Sequence, residues 1–216
     1  MSSKNQAGFT LIELMIATAV FTVVLLVATT GIIKIGNIYY KGIITSQTQN
    51  TVRNLGNDIA TSLQFASYNV ETNPTPPPPL NQGFYCLGNT LYYYYLNSQY
   101  KKGSEFTTGL YSADLAVGST CSSSSATVKC TVTTTINCYN DRRQLLGDNM
   151  RVMVFAIKPV SGSSSVYSIN LRIIYGDTEL LTTAPTLDAV TCKSGVSGSS
   201  FCAVGQLDTV VEKRLK

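Results

Sequence analysis

The sequence of 216 residues contains no histidine, and only 13% of its residues are charged. Without histidine the chain lacks the usual proton shuttle near neutral pH, and it cannot form a Ser-His or Cys-His nucleophilic pair. We therefore expect no enzyme activity, no catalytic residue and no cofactor. The low charge and the slightly positive mean hydropathy are more typical of a membrane-anchored, exported protein than of a cytosolic one.

The charge of the chain gives little indication of a partner. The formal net charge is +4, and the basic residues are scattered, with short pairs at 101–102 and 142–143. Such a distribution is typical of a solvated surface rather than a nucleic-acid groove. It leaves a DNA or surface ligand open.

The cysteines all lie far from the apolar N-terminal stretch. They are Cys86, Cys121, Cys130, Cys138, Cys192 and Cys202. An even number in an exported domain predicts disulfide bonds formed in an oxidising compartment. No pair has C-x-x-C spacing and no histidine can complete a zinc site, so we predict no metal centre. Locality favours two pairs, Cys192–Cys202 around a Gly/Ser loop and Cys130–Cys138 around a Thr-rich segment.

The N-terminal region combines a short polar segment with a long apolar run. Residues 1–8 carry one cation, Lys4, whereas the twenty residues 14–33 contain no charged side chain. A helix of that length spans about 30 Å, the thickness of the bilayer hydrocarbon. An ordinary secretory signal has a shorter apolar region that ends in an A-x-A-like cleavage site. We therefore predict a transmembrane helix whose N-terminus is cytoplasmic, because Lys4 precedes the run.

Glu13 stands at the start of this run, where an ionised carboxylate is unfavourable by roughly 2.5–3.5 kcal/mol on insertion scales. Three explanations are open. Glu13 complements the positive end of the helix dipole, or it lies in the headgroup layer of an uncleaved anchor. Alternatively, a cut after Gly8 creates a cation at a similar depth, the α-ammonium group of Phe9, four residues before Glu13.

Residues 8–13 (GFTLIE), followed by an apolar helix, resemble the class III signal of type IV pilins and type II secretion pseudopilins. The resemblance implies that a prepilin peptidase cuts after Gly8 and methylates the new N-terminus, Phe9. It also implies that Glu13 pairs with the N-terminus of a neighbouring subunit. One departure is Thr30, where many major pilins carry a helix-kinking proline, so the family's kink is not implied.

The helix is predicted to continue beyond the membrane, over residues 9–66. Apolar side chains at spacings of three and four form one stripe, which consists of Val52, Leu55, Ile59, Leu63 and Ala66. We expect the stripe to pack on a globular domain and the upstream part of the helix to pack against other subunits. The proline run within residues 67–83 predicts a stiff connector, which leaves residues 84–216 as the globular domain.

Aromatic-rich and alternating segments predict strands in this domain. Residues 91–96 (LYYYYL) are strand-prone, either with one aromatic face buried or with tyrosines that stack on a ligand such as single-stranded DNA. Residues 151–157 and 166–175 predict a hairpin around a turn region at 159–165. Residues 207–215 fit a strand or a short helix, and the resemblance favours a strand.

Three acidic residues, Asp177, Glu179 and Asp188, fall in a polar loop region. Some pseudopilins bind calcium in such loops, but the spacing here matches no calcium-binding motif. We therefore predict solvated loop acids.

The predicted fold is α+β, a pilin fold in which a long N-terminal helix carries an antiparallel sheet domain. The resemblance implies a structural subunit of a type IV pilus or pseudopilus-like filament. Its implied partners are prepilin peptidase, an inner-membrane assembly platform and other pilin subunits. We expect a single-pass cytoplasmic membrane protein before assembly and an extracellular or periplasmic filament afterwards.

The finer function stays open at this point. The helix-then-sheet plan with a late cysteine loop, Cys192–Cys202, is more similar to a larger minor pilin or J-type pseudopilin than to a compact major pilin. An alternative on the same scaffold is a binding module at the filament tip, either an adhesin or a DNA-uptake receptor. The sequence does not distinguish a pilus from a secretion pseudopilus or a competence apparatus.

Overall fold

The computed structural model describes residues 9–66, 70–73, 82–103, 108–115, 139–163 and 165–214. Within these residues one long helix, α1 (Leu11–Gln64), precedes eight strands. The strands are β1 (Glu71–Asn73), β2 (Gln82–Leu87), β3 (Thr90–Tyr95), β4 (Leu110–Leu115), β5 (Tyr139–Gln144), β6 (Met150–Pro159), β7 (Val166–Tyr175) and β8 (Ala203–Glu212). Short 3-10 helices lie at Thr178–Leu180, Leu187–Ala189 and Ser199–Phe201. The predicted α+β architecture is confirmed.

The N-terminal part of α1, up to Tyr40, forms a unit of its own. It is rich in Leu, Ile, Val and Ala and contains no proline, so no residue interrupts its backbone hydrogen bonds. Threonine hydroxyls in this part donate to carbonyl groups one turn earlier, as Thr30 does to Val27 at 2.9 Å. Such bonds satisfy polar side chains within an apolar helix. Among the described residues, α1 is the one helix with the length and composition to cross a membrane.

The second part of α1 belongs to the globular unit and buries one side against the strands. The predicted stripe is confirmed, because all five of its residues are buried: Val52, Leu55, Ile59, Leu63 and Ala66. The helix comes close to β8 at Gly205, where a Cβ atom would lie 2.8 Å from Val52 Cγ2 and 3.1 Å from the Thr48 carbonyl oxygen. A hydrogen atom in place of a side chain therefore permits this close packing.

The first sheet is antiparallel, with the strand order β1-β2-β3-β4-β5. The strand predicted at residues 91–96 corresponds to β3, and its residues Tyr92 and Tyr94 are buried in the core. The Tyr92 hydroxyl connects this sheet to α1, because it lies 2.8 Å from Ser62 Oγ and donates to Asp58 at 3.2 Å. Helix and sheet are thus joined by polar as well as apolar contacts.

A short strand, β1, lies inside the segment that the proline content predicts to be a connector, residues 67–83. Its three residues pair antiparallel with β2, with Thr72 opposite Tyr85, and β2 itself begins at Gln82. A strand at the edge of a sheet is compatible with prolines next to it, because only one of its sides must supply hydrogen bonds. The proline run that motivated the prediction lies outside the described residues.

The second sheet is antiparallel, with the order β6-β7-β8. The predicted hairpin is confirmed as β6 and β7, which pair from Met150 opposite Tyr175 to Pro159 opposite Tyr167. The C-terminal segment is a strand, β8, as the resemblance favoured. Every second residue of β7 from Ile169 faces the core, since alternation in a strand directs these side chains to one side.

The two sheets and the second part of α1 enclose one core. The sheets meet where Leu96 forms a parallel bridge with Val152 and the Asn97 N–H donates to the Val152 carbonyl at 2.8 Å. A second, smaller cluster forms where the segment after β7 packs on β6 and β7. Its buried members are Met153, Ile174, Leu181, Val190 and Cys202.

Candidate functional site

The start of α1 brings together Thr10 and Glu13, the two polar residues that precede the apolar run. Glu13 Oε2 accepts hydrogen bonds from the Thr10 backbone N–H at 2.9 Å and from the Thr10 hydroxyl at 2.8 Å. The Thr10 hydroxyl oxygen accepts a hydrogen bond from the Glu13 backbone N–H at 3.3 Å. This reciprocal arrangement is a capping box, which satisfies backbone donors that have no partner inside the helix.

The explanations that the sequence suggested for Glu13 did not include a capping box, although the signature of that motif is present. Thr10 and Glu13 are three positions apart, the spacing of the T-x-x-E pattern. Oε2 makes both bonds to Thr10, while Oε1 has no hydrogen-bond partner among the described residues. The carboxylate therefore caps its own helix and still presents one oxygen that can accept a bond from a cation.

Phe9 and the following apolar side chains of α1 are exposed. Phe9 is 86% exposed, and large apolar side chains remain exposed as far along as Ile43. Successive residues, such as Leu25, Leu26 and Val27, are all exposed, so the apolar surface surrounds the helix. An apolar surface of this extent requires a membrane or other protein chains to cover it. Gly8, the predicted residue before the cut, lies outside the described residues.

The cysteines form disulfides where the structure describes them. Cys192 and Cys202, the pair predicted from locality, are joined, with their Cα atoms 5.8 Å apart. Cys86 is also in a disulfide, and its partner lies outside the described residues. The predicted pair Cys130–Cys138 lies outside them as well, as does Cys121. The bond between Cys192 and Cys202 closes the segment that covers the second sheet.

The loop acids predicted to be solvated do not converge. Among the described residues, no group of three His, Cys, Asp or Glu side chains could hold a metal ion. Asp177 Oδ1 accepts a hydrogen bond from Gln99 Nε2 at 3.1 Å. A hydrogen bond from the Thr186 side chain lowers the pKa of Asp188, because it favours the ionised carboxylate. Asp177 and Asp188 thus have local partners, and all three acids are exposed, as predicted.

Arg151 is a buried charged residue that sequence reasoning treated only as the start of a strand. It is 2% exposed, and its guanidinium donates to the Gly176 carbonyl at 3.0 Å and to Thr178 Oγ1 at 3.1 Å. Burial lowers the pKa of Arg151, and the nearby charge of Asp177 opposes that shift. The arginine therefore fixes the turn that follows β7, which is a structural function.

The tyrosines of β3 divide between the two faces of the sheet. Burial raises the pKa of Tyr92 and of Tyr94 well above the usual range. On the opposite face, the hydroxyl of Tyr93 donates to Gln82 Oε1 at 3.0 Å, and the rings of Tyr93 and Tyr95 meet edge to face. One aromatic face of β3 is thus buried, as predicted, and the tyrosines on the other face contact each other and Gln82.

Comparison with known protein families identifies a motif in the N-terminal region. Residues 3–29 match the family described as the prokaryotic N-terminal methylation motif. No curated protein and no solved structure matches the chain. The matched residues include Phe9, the capping box and the first part of α1, and they form the class III signal that directs processing by prepilin peptidase. The N-terminal region therefore carries the class III signal of type IV pilins and pseudopilins, and the chain combines this signal with an α+β architecture like theirs.

Proposed function

We propose that the chain is a minor structural subunit of a type IV pilus or pseudopilus-like filament. The observation that carries this proposal is the exposed apolar part of α1, which begins at a processing signal. Crossing a membrane requires only about 20 residues of helix. Exposed large apolar side chains recur from Phe9, two residues before α1, to Ile43, over a stretch longer than that. The additional surface supports lateral packing against other subunits once the helix leaves the bilayer.

Processing would hydrolyse the Gly8–Phe9 peptide bond, which leaves a carboxylate on Gly8 and a free amine on Phe9. Transfer of a methyl group from a sulfonium methyl donor to that amine would follow, with loss of one proton from the nitrogen. The capping box would persist, because the Thr10 N–H belongs to the next peptide bond along the chain. The mature subunit would therefore begin with a cation one residue before a capped helix.

In the filament, Glu13 would pair with the Phe9 ammonium group of a neighbouring subunit. Thr10 engages Oε2, so Oε1 is the oxygen available for the pair. Surrounding apolar helices would exclude water from the pair, which strengthens the attraction and makes an unpaired partner unfavourable. Apolar packing would supply most of the free energy of assembly, and the charge pair would fix the register between helices.

The architecture of the globular unit supports the proposal of a minor subunit rather than a compact major one. It contains two sheets, and a late segment closed by the Cys192–Cys202 disulfide is added on the outside of the second. Such additions enlarge the surface that the subunit would present outside the helical packing. Quantification of this chain relative to the other pilins in purified native filaments separates a minor from a major subunit.

Co-expression with the cognate peptidase and assembly proteins tests the proposed function. We expect the intact mass of the mature protein to correspond to loss of residues 1–8 with one added methyl group, and we expect the protein in sheared filaments. A Gly8→Leu variant, with a bulky side chain at the cleaved bond, serves as the unprocessed control. Met1 retained in the wild-type mature protein would contradict the processing step. Processed protein that is absent from filaments would contradict the structural function.

A further inference from the structure

Lys34, Tyr39 and Tyr40 are three of the polar or amphipathic side chains that follow the predicted membrane span on α1, where Asn37 and Lys41 also lie. All three are exposed, Tyr39 at 67% and Tyr40 at 54%. At 3.6 residues per turn, they lie at about 0°, 140° and 240° around the helix axis. The three side chains thus point to three different sides of the helix. A single protein partner docked on one face does not account for all of them.

Their heights along the helix match the polar layer of a bilayer. Residues 14–33 span about 30 Å, and Lys34 follows directly at the edge of the hydrocarbon. Tyr39 and Tyr40 lie about 9 and 10 Å further along the axis than residue 33. Helical side chains lean towards the N-terminus, which brings both rings back towards the membrane. Headgroups extend the bilayer to about 40–45 Å, which adds about 5–7 Å on each side, so rings that lean back by a few ångströms reach the interfacial layer.

The chemistry of these side chains also fits a lipid interface. A tyrosine combines an apolar ring with a polar hydroxyl and is enriched where hydrocarbon meets water. The apolar stem of Lys34 can lie along the hydrocarbon while its ammonium group reaches the phosphates. No acidic residue occurs between Glu13 and Asp58 in the sequence. Lys34 forms no ion pair among the described residues, so its charge is available to an anion outside the chain, such as a lipid phosphate.

We propose that Lys34, Tyr39 and Tyr40 form an interfacial collar that holds α1 at a fixed depth in the headgroup layer of the exported leaflet. The collar acts in the membrane-inserted subunit before assembly, and it goes beyond the filament function proposed above. The two tyrosine hydroxyls and the lysine ammonium group are unfavourable in hydrocarbon, so they oppose deeper insertion of the helix. The aromatic rings resist its withdrawal into water.

The absence of tryptophan from the chain allows a direct test of depth. Tyr39→Trp and Tyr40→Trp each place one fluorophore in the full chain, which is reconstituted at low density in phosphatidylcholine–phosphatidylglycerol vesicles. Lipids brominated near the headgroup or near the chain ends quench tryptophan at the corresponding depth. We expect headgroup-proximal bromine to quench both variants more strongly than deep bromine.

Two further positions calibrate the measurement. Val24→Trp, in the middle of the apolar run, should be quenched more strongly by deep bromine. Val210→Trp, at a 62% exposed position of the globular unit, should be quenched by neither lipid.

A double variant tests the contribution of the lysine. Adding Lys34→Leu to Tyr39→Trp lengthens the apolar run, so quenching of the tryptophan should shift towards the deep lipid.

Several results would overturn the collar. Lack of quenching in both tyrosine variants would place them in water, and a depth equal to that of Val24→Trp would place them in hydrocarbon. Quenching of only one variant would indicate a one-sided contact surface. If adding Lys34→Leu does not change the depth of quenching, Lys34 is not part of the collar. Because the vesicles contain no assembly proteins, these results do not depend on whether the chain enters filaments.

Discussion

The hydroxyl group of Tyr85, on β2, accepts a hydrogen bond from the backbone N–H of Ile157, on β6, at 3.2 Å. The same hydroxyl lies within 3.5 Å of the Phe155 carbonyl, to which it donates. All three residues are buried. A side chain of the first sheet thus satisfies backbone groups at the outer edge of β6, where no strand of the described residues pairs with them.

Tyr85→Phe removes this hydroxyl and leaves the Ile157 N–H buried without an acceptor. We expect the free energy of unfolding to fall by about 1–3 kcal/mol, the desolvation penalty of an unsatisfied buried donor. Urea unfolding of the full chain in detergent, followed by near-UV circular dichroism, measures the change. Tyr167→Phe is the control, because the Tyr167 hydroxyl has no hydrogen-bond partner among the described residues. Equal stability of Tyr85→Phe and wild type would show that the bond contributes nothing.

Gly205→Ala tests the close approach of α1 to β8. The added methyl group would meet Val52 Cγ2 and the Thr48 carbonyl oxygen, and the latter is backbone that cannot rotate away. We expect destabilisation of about 1–3 kcal/mol from overpacking. Gly36→Ala is the matched control, since a Cβ atom there has no atom within 4 Å. If both variants unfold at the same urea concentration as wild type, the helix and strand have more room than the structure shows.

The disulfides predict the thiol content of the exported domain. We expect essentially no free thiol in the denatured, unreduced chain, and peptide mapping should recover Cys192 linked to Cys202. Cys86 should be linked to one of the three cysteines outside the described residues, Cys121, Cys130 or Cys138. Removing the Cys192–Cys202 bond with paired serine substitutions should lower stability by about 2–4 kcal/mol. Two or more free thiols per chain would contradict an oxidised domain.

Features with a local sequence signal were predictable. The buried stripe of α1 follows from a spacing of three and four residues, and the β6–β7 hairpin follows from alternation around a turn. The capping box also has a local signal, the T-x-x-E spacing of Thr10 and Glu13, whereas the explanations for Glu13 considered only its charge. Short-range patterns of this kind depend only on neighbours in the chain.

Features made by distant residues were not predictable. The contact between Tyr85 and Ile157 joins residues 72 positions apart, and no pattern near either residue indicates it. The close approach at Gly205 likewise depends on the position of α1. Burial of Arg151 depends on a carbonyl group that only the folded turn presents. Strand β1 has three residues, too few for alternation to produce a signal.

The central claim is that Glu13 acts between subunits in addition to capping its own helix, and three variants separate these functions. Glu13→Gln keeps an oxygen that can accept the capping hydrogen bonds but removes the charge. Glu13→Ala removes both. Thr10→Ala removes the capping hydroxyl and keeps the carboxylate, at a cost of about 0.5–2 kcal/mol to the helix start.

The decisive measurement compares the amount of each variant in sheared filaments with its amount in the membrane, after expression with the cognate machinery. An unpaired charge in a water-excluded contact is unfavourable by about 3–5 kcal/mol. Incorporation of Glu13→Gln should therefore fall at least tenfold, close to that of Glu13→Ala, while membrane insertion and cleavage after Gly8 stay normal. Thr10→Ala should retain most of its incorporation. Wild-type incorporation of Glu13→Gln would contradict the account, because it would show that Glu13 serves only as a cap.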